Sequence, residues 1–233
     1  APRNKNTAIQ TRIILFIHLP PVCNTIIHSG AFFKSVDFIL TYKLYKMREK
    51  MKILVCVRSV PLPESSFKLN TDGTFYDETD LNFQVSEFDL FGVEEAVRLK
   101  EKFKDVEIRI LSVGPKSAEN QIKKAMAIGA DSGIRIDVPD ADQRDALTIA
   151  SLIANWARDK NFDLIFCGVM SEDLQRAQVG PMLAELLKIP SATTVVSLTV
   201  EPEQRRVICE RELEGGLREK VELPLPCLLT TQM

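Results

Sequence analysis

Apolar residues recur along this chain in two alternating rhythms. Residues 52–57 (KILVCV) form a continuous apolar run, and Pro61 and Pro63 follow it; such a run is the pattern of a strand buried on both faces. Residues 87–103 switch to a helical rhythm, with Phe88, Phe91, Ala96, Val97 and Leu99 set against Glu94, Glu95, Arg98 and Lys100. Ser86 is placed to cap that helix. Residues 64–85 between them show no strong period and carry a turn at Asp72-Gly73, which predicts a loop or a small hairpin.

The alternation then repeats. Residues 106–113 (VEIRILSV) read as a strand running into Gly114-Pro115, and 117–128 as a helix closed by Gly129. A shorter strand is predicted at 133–138. Residues 142–159 form the next helix, with Ala146, Ile149, Ala150, Ile153 and Trp156 on one side, and 162–167 (FDLIFC) a strand ending at Gly168. After Pro190 the pattern changes to strands at 193–200, 206–212 and 218–223 with a Glu214-Gly215-Gly216 turn, then a final apolar strand at 224–231. The sequence therefore predicts an α/β fold: a Rossmann-like parallel sheet with flanking helices and an appended β-meander.

Ligands in such sheets bind beyond the carboxyl ends of the strands, which selects the loops after Val57, Val113 and Cys167. The third is the most informative. It runs GVMSEDLQRAQVG from Gly168 to Gly180 and leads into Pro181. Proline is tolerated only in a helix's first turn, so this helix starts near 177–180. Its free N–H groups and dipole favour an anion, Gly168 and Gly180 permit close approach, and Arg176 offers a charged donor. Many α/β domains carry a Gly-bounded loop here, so nucleotide binding and a plain structural loop both fit.

Charge divides the chain. Of its 233 residues, 30 are Lys or Arg and 32 are Asp or Glu. Eight of the bases but only two of the acids precede residue 51, so residues 1–50 carry +6 and 51–233 carry −8. Both histidines, His18 and His28, lie in the basic part, which excludes Ser-His-Asp or Cys-His catalysis from the rest. A charge of −8 argues against nucleic-acid binding, and no apolar run reaches the roughly 18 residues of a membrane span. Cys23, Cys56, Cys167, Cys209 and Cys227 form no Cys-x-x-Cys and read as reduced thiols of a bacterial cytoplasmic protein. Residues 1–50 read as an unstructured leader, not part of the native protein, with Met51 as the natural start; a targeting peptide is the other reading.

Residues 51–233 resemble the β subunit of electron transfer flavoproteins. The matching pieces are MKILVCVRSVP from Met51, FDLFGVEEAVRLKE from Phe88, SVGP with AMAIGAD from Ala125, AQVGPMLAELL from Ala177 and ERELEGGLREKVELPLP from Glu210. The resemblance implies an adenine nucleotide α-hydrolase-like fold and pairing with an α subunit that holds most of an electron-carrying FAD. This subunit would be an electron carrier and not an enzyme. It would pass electrons from flavin dehydrogenases to a quinone oxidoreductase, and would itself hold AMP or, in electron-bifurcating members, a second FAD. The implied nucleotide-binding residues are Cys56, Ser86, Glu87, Phe88, Asp89, Val113, Gly168, Val169, Met170, Ser171, Glu172, Asp173, Gln175, Arg176, Ala177, Gln178 and Val179.

Family members read close to GKQAIDDDxNQTGQ or GRQAIDGDTAQVGP where this chain reads GVMSEDLQRAQVGP, and AMP-binding members usually show an Asn-Pro pair at the helix entry, which reads SEFD at Ser86–Asp89 here. AMP, a second FAD and an empty site all stay open on that ground. The chain stops before the arm that recognises dehydrogenases in the family, so a fragment is expected. The competing reading is a stand-alone adenine-nucleotide regulator of the universal-stress type, whose Gly-rich phosphate loop is missing here. Bland readings stand beside the specific ones: Cys56, Cys167 and Trp156 as core, Glu172-Asp173 as a solvated loop pair, Arg176 as a surface or subunit contact, Glu87 and Asp89 as acids favouring a helix start.

Overall fold

The computed structural model describes residues 50–232. The expectation of a leader over residues 1–50 therefore falls, but for Lys50, outside the described residues. The rest alternates as the apolar rhythm predicts: β1 (Met51–Cys56), β2 (Ser59–Pro61), β3 (Phe83–Val85), α1 (Glu87–Lys102), β4 (Val106–Gly114), α2 (Glu119–Ala127), β5 (Ser132–Asp137), α3 (Ala146–Ala157), β6 (Leu164–Gly168), α4 (Val179–Leu187), β7 (Ser191–Glu201), β8 (Arg206–Glu212), β9 (Arg218–Pro224) and β10 (Cys227–Thr231).

Eight of the strands form one sheet in the order β5-β4-β1-β6-β10-β7-β8-β9. From β5 to β7 the pairs are parallel, and β7-β8 and β8-β9 are antiparallel. The meander is thus continuous with the parallel part. The final apolar strand, β10, is inserted between β6 and β7 and not added at an edge. Residues 64–85 contain an isolated antiparallel bridge, Leu69 to Tyr76. It is turned at Gly73, whose φ of +64° favours glycine. Beyond it, β3 pairs antiparallel with β2.

Alternation along the strands gives the sheet two buried faces. Ile53, Val55, Ile108, Ile110, Leu164 and Phe166 pack with Val93, Ala96 and Leu99 of α1 and Ile122 and Ala125 of α2. Leu54, Cys56, Leu111, Ile165, Cys167 and Leu228 pack with Ala150, Ile153 and Ala154 of α3 and Leu183 and Ala184 of α4. Among the described residues no helix is long and apolar enough to cross a membrane.

Two helices differ in detail from the expectation. On α1 the buried line is Asp89, Gly92, Val93, Ala96 and Leu99, while Phe88, Phe91 and Val97 are only half-buried. The cause is close packing: a Cβ added at Gly92 would stand 3.0 Å from Phe166 Cβ and 3.4 Å from Thr231 Oγ1. Small residues must follow the line of contact, and the rings turn to its flanks. Ser86 stands at the cap position but makes no side-chain capping bond. The helix predicted from residue 142 begins at Ala146, after a 3₁₀ turn at Ala141–Gln143. Asp145 caps it by accepting from Thr148 N–H at 2.8 Å, because Asp142 is engaged elsewhere.

Candidate functional site

β4 and β5 lie on one side of β1, and β6 lies on the other. The strand order therefore reverses between β1 and β6, the place where open α/β sheets bind ligands. A crevice of about 120 Å³ opens there. On its buried side are Cys56, Leu111, Ile153 and Cys167, with Val57, Val113, Ile149, Met170 and Leu174 beside them. On its exposed side are Arg144, Arg176, Ala177 and Gln178. Val179 and Gly180 of the first turn of α4 complete the wall. No side chain caps that turn, so the helix begins where the proline placed it and its dipole end is turned to the crevice.

Asp89 ties the two strand ends together. It projects from the first turn of α1, is 7% exposed, and accepts from the backbone N–H of Arg58 and of Gly168, each at 2.7 Å. Residue 168 must be glycine for this approach, since a Cβ there would lie 2.6 Å from the Asp89 carboxylate and 2.9 Å from Phe88 Cβ. Burial pushes the Asp89 carboxyl up to about 7 against the pull of its two backbone donors.

Arg58 itself is clamped. Its Nε reaches Asp173 at 3.1 and 3.2 Å, and its Nη2 reaches Asp173 and Asp142 at 2.7 Å each. All three side chains are less than a quarter exposed. Burial raises Asp173, but its bonds to Arg58 outweigh that and hold it below the usual range. Asp142 ends above its usual range, because burial and the Asp173 charge exceed the attraction of Arg58. Glu172, the neighbour of Asp173, accepts from the backbone N–H of Glu87 and so sits on the start of α1. Its other oxygen and the Ser86 hydroxyl are buried without a partner.

The exposed side is looser. Arg176 donates to the carbonyl of Arg144 at 3.2 Å, and Arg144 pairs with Asp140, both about half exposed. Gln175 and Ala177 hold φ of +50° and +53°, a left-handed backbone costing about 1 kcal/mol or more per non-glycine residue.

Of the residues singled out from the sequence, Cys56, Asp89, Val113, Gly168, Val169, Met170, Ser171, Arg176, Ala177, Gln178 and Val179 line the crevice. Ser86, Glu87, Phe88, Glu172, Asp173 and Gln175 do not. Phe88 lies against Gly168 and its carbonyl accepts from Thr231 Oγ1 at 3.0 Å, and Gln175 is exposed. Sequence reasoning missed Arg58 and Arg144. Arg58 directly follows the first predicted strand, 52–57, and was open to the strand-end rule; Arg144 was hidden inside a predicted helix.

Val55 pairs with Phe166, so the next residues, Cys56 and Cys167, stand side by side. Both thiols are free and buried, and the Cys167 thiol is pushed well up by Cys56 beside it and by burial. Trp156 stacks on Phe162, with ring centroids 5.9 Å apart. Apolar walls, a bare helix start and exposed arginines equip the crevice to hold a small anionic ligand.

The chain is similar over most of its length to proteins of one known family. The family profile of the electron transfer flavoprotein domain matches residues 74–233. The β subunit of the electron transfer flavoprotein of Methylophilus methylotrophus is 34% identical over 184 residues, 78% of this chain and 70% of that one. The human β subunit is 33% identical over 186 residues, covering 79% of this chain and 72% of its own length. The electron transfer subunit gamma of acryloyl-CoA reductase from Anaerotignum propionicum is 31% identical over 183 residues, 77% and 67% of the two chains. With a family match over residues 74–233 and relatives more than 30% identical across over two thirds of both chains, the chain belongs to the electron transfer flavoprotein family.

Proposed function

We propose that this chain is the β subunit of a heterodimeric, bacterial, cytoplasmic electron carrier. The α subunit would hold most of an FAD, and the heterodimer would carry electrons from flavin dehydrogenases to a quinone oxidoreductase. The flavin supplies the redox chemistry. The β chain contributes a rigid α/β body and an adenine-nucleotide site, for AMP or a second FAD. The observation that carries this is the crevice at the β1/β6 reversal, in a chain of this family. Its contents fit a nucleotide: Leu111, Val113, Ile149 and Ile153 give an apolar slot, and cationic side chains border its open side.

Its size bears on which nucleotide. At about 120 Å³ it is well below the roughly 300–1,000 Å³ of sites that enclose a whole drug-sized ligand. Part of any bound nucleotide therefore lies outside it.

Co-expression with an α subunit tests the proposal. A stable yellow complex should form, and the nucleotide released on denaturation should include FAD and one further adenine compound. A colourless β chain that ignores every α subunit would refute it. The relationship to the acryloyl-CoA reductase subunit favours a second acceptor, a CoA-ester reductase. Reduction of that enzyme, and not of a quinone reductase, by the dithionite-reduced complex would select it.

A further inference from the structure

The four cysteines among the described residues divide between the two faces of the sheet. Cys209 and Cys227 belong to the core that packs against α1 and α2, and Cys56 and Cys167 to the core that packs against α3 and α4. The first two sit on β8 and β10, with β7 between them. Two strand spacings, about 9–10 Å, put them beyond the roughly 7 Å that a disulfide spans between Cα atoms. They are 1% and 0% exposed, and neither lines the crevice. Burial holds the Cys227 thiol up at about 12.

The other two are placed differently. Cys56 ends β1, and Cys167 is the last residue but one of β6. They follow Val55 and Phe166, the last rung between these strands, and so stand side by side about 5 Å apart. The Cys56 sulfur is within hydrogen-bonding reach of the Cys167 thiol. On their other sides the two cysteines pair with Leu111 and Thr230. Because the rungs between β1 and β6 stop at Val55 and Phe166, the backbone at the cysteines is free to make the small adjustment that a disulfide needs. Both thiols are free and both line the crevice, whose volume of about 120 Å³ admits a reagent of a few heavy atoms.

We propose that Cys56 and Cys167 are a redox modification site, a dithiol that hydrogen peroxide, entering by the crevice, closes reversibly to a disulfide across β1 and β6. The Cys56 sulfur attacks one peroxide oxygen as a thiolate, the O–O bond breaks, and the departing hydroxide takes up the thiol proton as water. This leaves Cys56 as a sulfenic acid. The Cys167 sulfur then attacks the Cys56 sulfur, the S–O bond breaks, and a second hydroxide leaves as water with the Cys167 proton. Two thiols are oxidised by two electrons, and one peroxide is reduced to two waters. The order follows from Cys167, whose thiol is pushed well up by Cys56 and by burial and is the poorer first nucleophile. The site belongs to the strands under the crevice and stands whether or not a nucleotide binds above it.

The test is a hydrogen peroxide titration of the full chain, after which remaining thiols are labelled with N-ethylmaleimide in denaturant and located by peptide mass spectrometry. Cys56 and Cys167 should lose their label together, their two peptides should be joined with the loss of two hydrogens, and dithiothreitol should restore both thiols. Cys209 and Cys227 should take the label throughout. In Cys167→Ala, Cys56 should accumulate as a sulfenic acid that dimedone traps; in Cys56→Ala, Cys167 should keep its label. Melting curves verify that both variants fold, and the joined wild-type peptides decide the matter without them. If both wild-type cysteines keep their label until peroxide unfolds the chain, or if either is joined to Cys23 or to a second chain, the proposal is overturned.

Discussion

Arg58 and the Arg144–Arg176 pair border one crevice but live under different conditions. Arg58 is held on both flanks by half-buried carboxylates and its own N–H is bound to buried Asp89. Asp89 and Arg58 link β1 through α1 to β6 by an unbroken run of bonds. Arg144 and Arg176 lie exposed, on backbone that includes two left-handed non-glycine residues. The contrast separates charges that assemble the site from charges left available to a ligand. Identical side chains do the two jobs because a guanidinium is fixed or free according to the carboxylates within reach.

Breaking the assembled side should cost most. Asp89→Ala leaves the Arg58 and Gly168 N–H groups buried without acceptors, and should lower unfolding free energy by about 3 kcal/mol in urea titrations. An effect below roughly 1 kcal/mol would show that water replaces the carboxylate.

The same residue gives a pH signature. Its folded value of about 7 lies above the unfolded one, so the folded state binds the proton more tightly. Its contribution is fully present below about pH 4 and is lost as pH rises through 7, a swing of about 2–4 kcal/mol. Asp173, held low by Arg58, works oppositely and loses its contribution as pH falls below the usual carboxylate range. Stability measured against pH should decline from 4 to 8 in the wild type and flatten in Asp89→Asn.

Arg58→Ala leaves Asp142 and Asp173 facing each other, partly screened by solvent, and should cost about 2 kcal/mol. Asp145→Ala removes the α3 cap, for about 1 kcal/mol. On the available side, Ala177→Gly should raise the melting temperature slightly, by relieving about 1 kcal/mol of left-handed strain. A fall in stability there would mean that the methyl group packs.

The strands were legible because apolar runs of five or more residues can be satisfied only by burial on both faces. The rule of strand ends then led, without any motif, to loops that border the crevice. What stayed hidden depends on long-range pairing. Nothing local announces that Asp173 will reach Arg58, 115 positions away. That one arginine also explains the misjudged start of α3: Asp142 and Asp145 are equally good caps by residue type, and Arg58 recruits the first and leaves the second to the helix. The α1 face was misread for a packing reason, since periodicity cannot say that Gly92 sits so close to Phe166 that an added Cβ would stand 3.0 Å from it.

The position of β10 has a consequence in time. A chain made from its N-terminus completes β1, β4, β5 and β6 with their helices before the strand that sits between β6 and β7 exists. Until Cys227–Thr231 arrive, β6 and β7 each present an unpaired apolar edge, the kind of surface on which nascent chains stick to one another. The middle of this sheet is the last part to be built. Its synthesis therefore passes through an exposed stage that a chaperone, or an early-folding partner, would have reason to cover.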